Sequence, residues 1–254
     1  MAQIVFITGA TSGFGKATAE KFSANGYNCI LNGRREQRLT ELKKELEEKY
    51  KVDILLLPFD VQSQQETFTA IQNIPLEWQE IDILVNNAGL ALGRDYFDEA
   101  NLDDWNTMID TNLKGLLYVS KAVIPFMTKN KKGHIINIGS TAGKEVYEKG
   151  NVYCAAKHAV GAISEAMRID MLRHHIKVTA IHPGAAETEF SIVRFKGDGE
   201  TAKKVYNGFT PLSAEDVAGV IYYTATLPPH VCINDLVLTA TQQANSFYFN
   251  RDNQ

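Results

Sequence analysis

The apolar run Ile4-Val5-Phe6-Ile7 leads without a break into Thr8-Gly9-Ala10-Thr11-Ser12-Gly13-Phe14-Gly15, and this junction constrains the fold more than any other stretch. It reads as a buried strand, a glycine-rich turn and a helix beginning near Lys16. Such a junction suits a pyrophosphate. Glycine lets the backbone turn sharply and approach a ligand, while the helix start offers free N–H groups and a partial positive charge. Any tight strand-to-helix turn uses glycine, so the turn alone decides little. Its place at the end of the first strand makes the rest of the chain testable as a nucleotide-dependent enzyme.

Short apolar runs alternate with helix-period segments along most of the 254 residues. The strand candidates are 4–7, 28–32, 54–59, 81–86, 134–138, 177–182 and 235–239. Several are apolar throughout, as expected when helices cover both faces of a parallel sheet. Residues 35–50 place Leu39, Leu42 and Leu46 on one stripe of a charged helix, and long helical stretches fit 103–127 and 152–174. Regular strand–helix alternation predicts an α/β fold: a doubly wound, seven-stranded parallel sheet in one Rossmann domain over 1–254. The regularity breaks at 188–211, which contains Phe190, Phe195, Gly197, Gly199 and Gly208. Its position beyond the sixth strand favours a substrate lid over a surface excursion or a subunit contact. The tail, 241–254, carries Phe247, Tyr248 and Phe249 and is expected to dock on a neighbouring subunit.

Composition removes several function classes. A hydrophobic content of 44%, with 22% charged residues, is ordinary for a soluble globular protein. A formal net charge of −4 gives no reason to expect nucleic acid or an anionic membrane as partner. No apolar run approaches the roughly 20 residues that cross a bilayer. With a strand starting at residue 4, no signal peptide is expected. Cys29, Cys154 and Cys232 show no CxxC spacing, so neither a metal site nor a disulfide is expected, and the cytoplasm is the expected compartment.

Tyr153 and Lys157 are four residues apart on an expected helix and project from one face. An ammonium near a phenol favours phenolate and brings the tyrosine pKa towards working pH, so that it can exchange a proton with an alcohol or carbonyl oxygen. Such pairs are common on ordinary helices. Ser140 adds weight, because it follows the strand at 134–138 and can present its hydroxyl to the same cleft.

With these residues in place the chain resembles the classical short-chain dehydrogenase/reductase family. The TGxxxGxG turn is Thr8 to Gly15, with Gly9, Thr11, Ser12, Gly13, Phe14 and Gly15 as coenzyme contacts. The NNAG motif is Asn86-Asn87-Ala88-Gly89. The family's asparagine matches Asn112, its serine Ser140 and its YxxxK pair Tyr153 and Lys157. The PG element after the sixth strand is Pro183-Gly184, with Thr188 beyond it. The resemblance implies that Tyr153 is the general acid/base, that Ser140 orients the substrate oxygen, and that Lys157 lowers the Tyr153 pKa and binds the nicotinamide ribose. Asn112 would hold a water linking Lys157 to solvent. It also implies that Asp60-Val61 flank the adenine.

Coenzyme choice has a physical argument of its own. NAD-binding sheets usually end the second strand on an acid that accepts from the ribose 2′-OH. Here the sequence is Leu31-Asn32-Gly33-Arg34-Arg35, and two guanidiniums suit a 2′-phosphate. The alternative is that Arg34 and Arg35 decorate a helix start, where cations oppose the dipole. NADP(H) is the expected coenzyme. Further stretches, including 86–93, 150–153, 189–198 and 227–235, resemble the NADP-dependent serine, L-allo-threonine and 3-hydroxy acid dehydrogenases. That likeness implies oxidation of the 3-hydroxyl of small acids or reduction of 3-oxo acids and semialdehydes, by a cytoplasmic homotetramer. The carboxylate of such a substrate needs a cation; Arg194 in the lid is the first candidate and Arg94 the second. A carbonyl or ketoacyl reductase of other substrates and a non-catalytic NADPH-binding regulator are the rival readings. His174 and His175 are expected to satisfy carbonyls at a helix end, Lys129 to Lys132 to form a solvated turn, and Cys154 to be a packed side chain.

Overall fold

The structure, a computed structural model, describes residues 2–252, so Asn253 and Gln254 of the expected tail lie outside the described residues. The strands are β1 (Ile4–Ile7), β2 (Asn28–Asn32), β3 (Ile54–Leu57), β4 (Ile81–Asn86), β5 (Gly133–Ile138), β6 (Ile176–Pro183) and β7 (Asp235–Leu238). All pair in parallel, in the spatial order β3-β2-β1-β4-β5-β6-β7. The helices are α1 (Gly13–Ser23), α2 (Glu36–Tyr50), α3 (Gln64–Gln72), α4 (Leu102–Ile109), α5 (Leu116–Asn130), α6 (Asn151–Met171), α7 (Glu189–Arg194), α8 (Gly199–Lys204) and α9 (Ala214–Ala225). The doubly wound sheet is the one the sequence predicts.

Two apolar layers sandwich the sheet. On one face α1, α2 and α9 bury Phe22, Leu39, Leu42, Leu46, Val217 and Ile221 against Val5, Leu31 and Val85. On the other, α3, α5 and α6 pack Ile71, Val123, Met127 and Met167 against Phe6, Leu84 and Ile135. Burying each large side chain stabilises the fold by about 1.5–3 kcal/mol, which fixes the strand register and hence the positions of the loops at the strand ends. The chain builds outward from β1 to β3, then restarts at β4 on the other side of β1. The loops after β1 and β4 therefore diverge and open a crevice at the carboxyl edge, where ligands of such sheets bind.

Several boundaries shift for local reasons. The first helix starts at Gly13, with Ser12 in extended conformation as its N-cap, three residues before the expected start. Strand β3 stops at Leu57 because Pro58 has no N–H to continue the ladder. The amide of Asn32 instead reaches the carbonyls of Leu57 and Phe59 at 3.1 and 3.0 Å. The expected single helix over 103–127 is interrupted by a π-turn, Asp110–Gly115. The His174 and His175 side chains do not cap the helix end. His175 adopts left-handed backbone (φ 57°) and its main-chain N–H donates to the Leu172 carbonyl, while Arg173 Nε donates to the His174 ring. The described tail folds onto its own chain: Phe249 packs 5.0 Å from Phe209 and the Arg251 guanidinium lies over both rings. Arg251 also donates to the carbonyls of Asn207 and Val205, so the tail straps the segment after β6. Phe247 and Tyr248 stay exposed.

Candidate active site

The crevice is a cavity of about 1230 Å³ that runs from Arg34 and Arg35 past the glycine turn to Tyr153 and on to the segment after β6. At its floor the turn after β1 is held against the loop after β4. Thr8 Oγ1 accepts the N–H groups of Asn87 and Ala88, both at 3.0 Å, and Asn87 Nδ2 donates to the Thr8 carbonyl at 2.8 Å. Gly9 takes φ +66°, and a Cβ there would lie 2.9 Å from Ala88 Cα. At Gly15 a Cβ would lie 2.2 Å from the Gly9 carbonyl oxygen. Only glycine fits either place, and the N-terminus of α1 opens on the cavity beside Thr11, Ser12, Gly13 and Phe14.

Of the coenzyme contacts expected from sequence, Arg34, Arg35, Asp60, Val61, Asn87, Ala88, Gly89, Pro183, Gly184 and Thr188 all line this cavity. Gly15 does not; it sits behind the turn and allows the close packing just described. Arg35 donates from Nε and Nη2 to Thr11 Oγ1 at 3.1 and 2.9 Å and from Nη2 to Ser12 Oγ at 2.9 Å. Arg34 pairs with Asp60 at 3.3 Å. The sequence reading did not single out Arg38, which does not line the cavity but shares a face with Arg35 by its i+3 spacing. It also missed Glu189, which lies 2.9 Å from Arg35 Nη1 and 2.8 Å from Arg38 Nη1. A cluster of cations and hydroxyls beside a free helix N-terminus fits the phosphates of a phosphorylated dinucleotide.

The chemical centre lies where β5 meets α6. Ser140 follows β5 by two residues, in extended conformation, and accepts the Ala142 N–H at 3.1 Å. Tyr153 and Lys157, on the first two turns of α6, are both buried. Lys157 Nζ donates to the Ile138 carbonyl at 3.0 Å and stands 5.9 Å from the Tyr153 ring centroid. Burial depresses the Lys157 ammonium to a pKa of about 8. Burial also dominates at Tyr153: desolvation raises the phenol above its ordinary value, Tyr147 adds to the rise, and the Ser140 hydroxyl and the Arg194 charge oppose it. In the protein alone desolvation sets the direction at Tyr153, and Lys157, expected from spacing to lower the phenol, is not among the groups that shift it.

Asn112 lies in the π-turn, behind the cavity wall. Its Oδ1 accepts the Leu90 N–H at 2.8 Å and its Nδ2 donates to the Leu90 carbonyl at 2.7 Å. Both ends of the amide are engaged in fixing the loop that carries Gly89. A π-turn at such a place is a common mark of a functional site, and no periodicity in the sequence announces it.

The segment after β6 covers the centre. Phe190 packs 5.7 Å from the Tyr153 ring, and the Arg194 carbonyl accepts the Gly93 N–H at 3.0 Å. Lys196 pairs with Asp104 on α4 at 2.7 Å. The Arg194 guanidinium lies 5.5 Å from the Tyr153 ring and 5.6 Å from that of Tyr147, and donates to the Tyr147 hydroxyl at 3.0 Å. Its Nε is buried without a hydrogen-bond partner, and among the described residues no carboxylate pairs with it. Arg94, the second candidate, lines the same cavity. Tyr147 and Gln243, which the sequence reading did not single out, also line it. Gln243 Oε1 accepts the Ala185 N–H at 2.8 Å and ties the tail to the end of β6. Cys154 is a buried free thiol packed beneath Gly150, in keeping with the packed side chain expected.

Residues 3–198 match the family described as short chain dehydrogenase, and the chain belongs to that family. Likeness to individual members runs over the whole length. The NADP-dependent 3-hydroxy acid dehydrogenase YdfG of Salmonella typhi is 46% identical over 242 residues, covering 95% of this chain and 96% of that protein. Sulfoacetaldehyde reductase 2 of Chromohalobacter salexigens is 45% identical over 254 residues, covering 99% and 100%. The closed form of a serine dehydrogenase complexed with NADP+ superposes with a TM-score of 0.91 at 45% identity, covering 99% of this chain and 100% of that one.

Proposed function

We propose that this chain is an NADP-dependent oxidoreductase that interconverts the 3-hydroxyl of small hydroxy acids with the corresponding 3-oxo group. L-serine, L-allo-threonine and 3-hydroxypropionate are the expected alcohols. The observation that carries the substrate class is Arg194: a guanidinium beside the Tyr153 ring, with a buried Nε that has no partner. A buried unsatisfied donor costs about 1–3 kcal/mol, and a substrate carboxylate reaching Nε removes that cost. The names of the relatives agree in kind, since a 3-hydroxy acid and sulfoacetaldehyde both carry an anion close to the reacting carbon.

When bound, the nicotinamide supplies the hydride chemistry. The chain's own residues do the rest. Arg35 and Arg38 hold the 2′-phosphate, with Arg34 and the Thr11 and Ser12 hydroxyls at the edge of that site. Ser140 donates to the substrate oxygen and fixes it before the Tyr153 hydroxyl. Tyr153 gives its proton to that oxygen in reduction and takes it back in oxidation. Lys157 binds the ribose hydroxyls, and its charge favours the phenolate in the oxidative direction. Asn112 acts by clamping Leu90, so that the Gly89 loop stays against Lys157. Helix α7 and the strap of tail residues exclude water while Arg194 neutralises the substrate anion. Ile169 and Leu172 stay exposed at the end of α6, which favours self-association; a homotetramer in the cytoplasm is the assembly we expect. Among the described residues no helix is long and apolar enough to cross a membrane.

The test is a substrate panel with NADP: hydroxy acids, a hydroxysulfonate of the same length, and neutral alcohols of similar size. Wild type should favour the anions. Arg194→Leu should raise KM for L-serine by about ten- to hundredfold, the loss of a charge-assisted hydrogen bond, with little change for NADP. An unchanged acid-to-neutral preference in the variant would refute the role given to Arg194.

A further inference from the structure

We propose that Glu189 is a built-in competitor for the coenzyme's 2′-phosphate. Glu189 opens α7, directly after the N-cap Thr188, and lies about 150 positions along the chain from the arginines of α2. Both of its carboxylate oxygens are engaged, Oε2 with Arg35 Nη1 at 2.9 Å and Oε1 with Arg38 Nη1 at 2.8 Å. Arg38 Nη1 also reaches Oε2 at 3.1 Å. Partial burial works against ionisation of this carboxyl, yet the two guanidiniums hold it below the usual carboxylate range, so it is an anion at every working pH.

The same Arg35 turns its other edge to Thr11 and Ser12, at the glycine turn. Its Nη1 and that of Arg38 converge on the one carboxylate, and two donors so placed suit a phosphate dianion as well. A dianion and a carboxylate cannot share those donors without a like-charge contact, so one displaces the other. Glu189 therefore holds affinity for the phosphorylated coenzyme below what the arginines alone would give. It bears on the phosphorylated coenzyme alone, because a ribose 2′-hydroxyl asks nothing of the guanidiniums. The placement also has a mechanical side. Helix α7 is six residues long and carries Glu189 at one end and Arg194 at the other, so its phosphate-side anchor and its substrate-side cation belong to one short rigid piece.

This inference rests on the assignment of Arg35 and Arg38 to the 2′-phosphate, and the experiment separates the two. The full-length protein, Glu189→Gln and Arg35→Ala are titrated calorimetrically with adenosine 2′,5′-bisphosphate and with 5′-AMP. Neither ligand carries a nicotinamide, so the readout does not depend on turnover. Glu189→Gln should tighten the bisphosphate by about three- to tenfold, the scale expected for two exposed ion pairs, and leave 5′-AMP within about twofold. An unchanged or weaker bisphosphate affinity, or equal tightening of both ligands, overturns the proposal. Arg35→Ala should weaken the bisphosphate and not 5′-AMP. If it weakens neither or both alike, the phosphate assignment itself falls, whatever Glu189→Gln does.

Discussion

Replacing Lys157 with methionine should abolish activity and also lift a pH-dependent penalty on stability. Burial lowers the Lys157 pKa from 10.5 to about 8. The depressed value means that the fold favours the neutral amine, so wild-type stability falls as pH drops from 10.5 towards 8 and stays low below that. Linkage puts the penalty at about 3 kcal/mol at pH 7 and about 2 kcal/mol at pH 9. Methionine removes the penalty but strands the Ile138 carbonyl that Lys157 now satisfies, at a cost of about 1–3 kcal/mol. The two offset one another near pH 7, so the absolute change is small and the pH dependence is the signature. Relative to wild type, Lys157→Met should lose about 1 kcal/mol of stability between pH 7 and pH 9, or roughly 2–4 °C in Tm for a domain of this size. All other ionisable groups are common to both proteins and cancel in the comparison. Urea unfolding without coenzyme, at pH 7, 8 and 9, measures the difference. A gap between the two proteins that does not change with pH would refute the desolvated ammonium.

Tyr153→Phe should keep NADPH binding, read by fluorescence titration, and lose about 10²–10⁴-fold in turnover. Arg35→Ala combined with Arg38→Ala should reduce the preference for NADP over NAD by about ten- to hundredfold in kcat/KM, with the larger loss on the NADP side. Arg251→Ala unfastens the tail from the carbonyls of Asn207 and Val205 and from the Phe209 and Phe249 rings. It should raise KM for the acid substrate by roughly three- to tenfold with little change in NADP affinity, since the strap acts on the lid and not on the phosphate site.

The parts of the site that lie on regular elements were legible because periodicity and steric need leave a mark. Leu39, Leu42 and Leu46 announced α2, continuous apolar runs announced a sheet covered on both faces, and the Gly9 and Gly15 positions admit no other residue. Four-residue spacing put Tyr153 and Lys157 on one helix face, but Ser140 and the family pattern were needed to single them out. Asn112 was singled out only through the family pattern, and the π-turn that carries it left no periodic trace. The direction of the Tyr153 pKa in the protein alone was out of reach for a related reason. Spacing shows which charge stands near a phenol, but burial, the largest influence here, depends on how the protein packs around it.

The segment after β6 shows why the remaining contacts were out of reach. Arg194 was a candidate because a small acid needs a cation, a chemical argument that needs no contact map. Its partner Tyr147 and the pairing of Glu189 with Arg35 and Arg38 arise only when a segment after β6 folds back over the loop before α6 and over the start of α2. Nothing in a local window encodes that. Charge counting points the wrong way, because Glu189 looks like an ordinary first-turn acid that favours its helix dipole. In the folded protein the same carboxylate pairs with two arginines, while Arg194 at the far end of its helix lies beside the Tyr153 ring with its Nε unpartnered. A six-residue helix that joins the arginines at the start of α2 to the ring of Tyr153 is therefore an arrangement that only the tertiary structure defines.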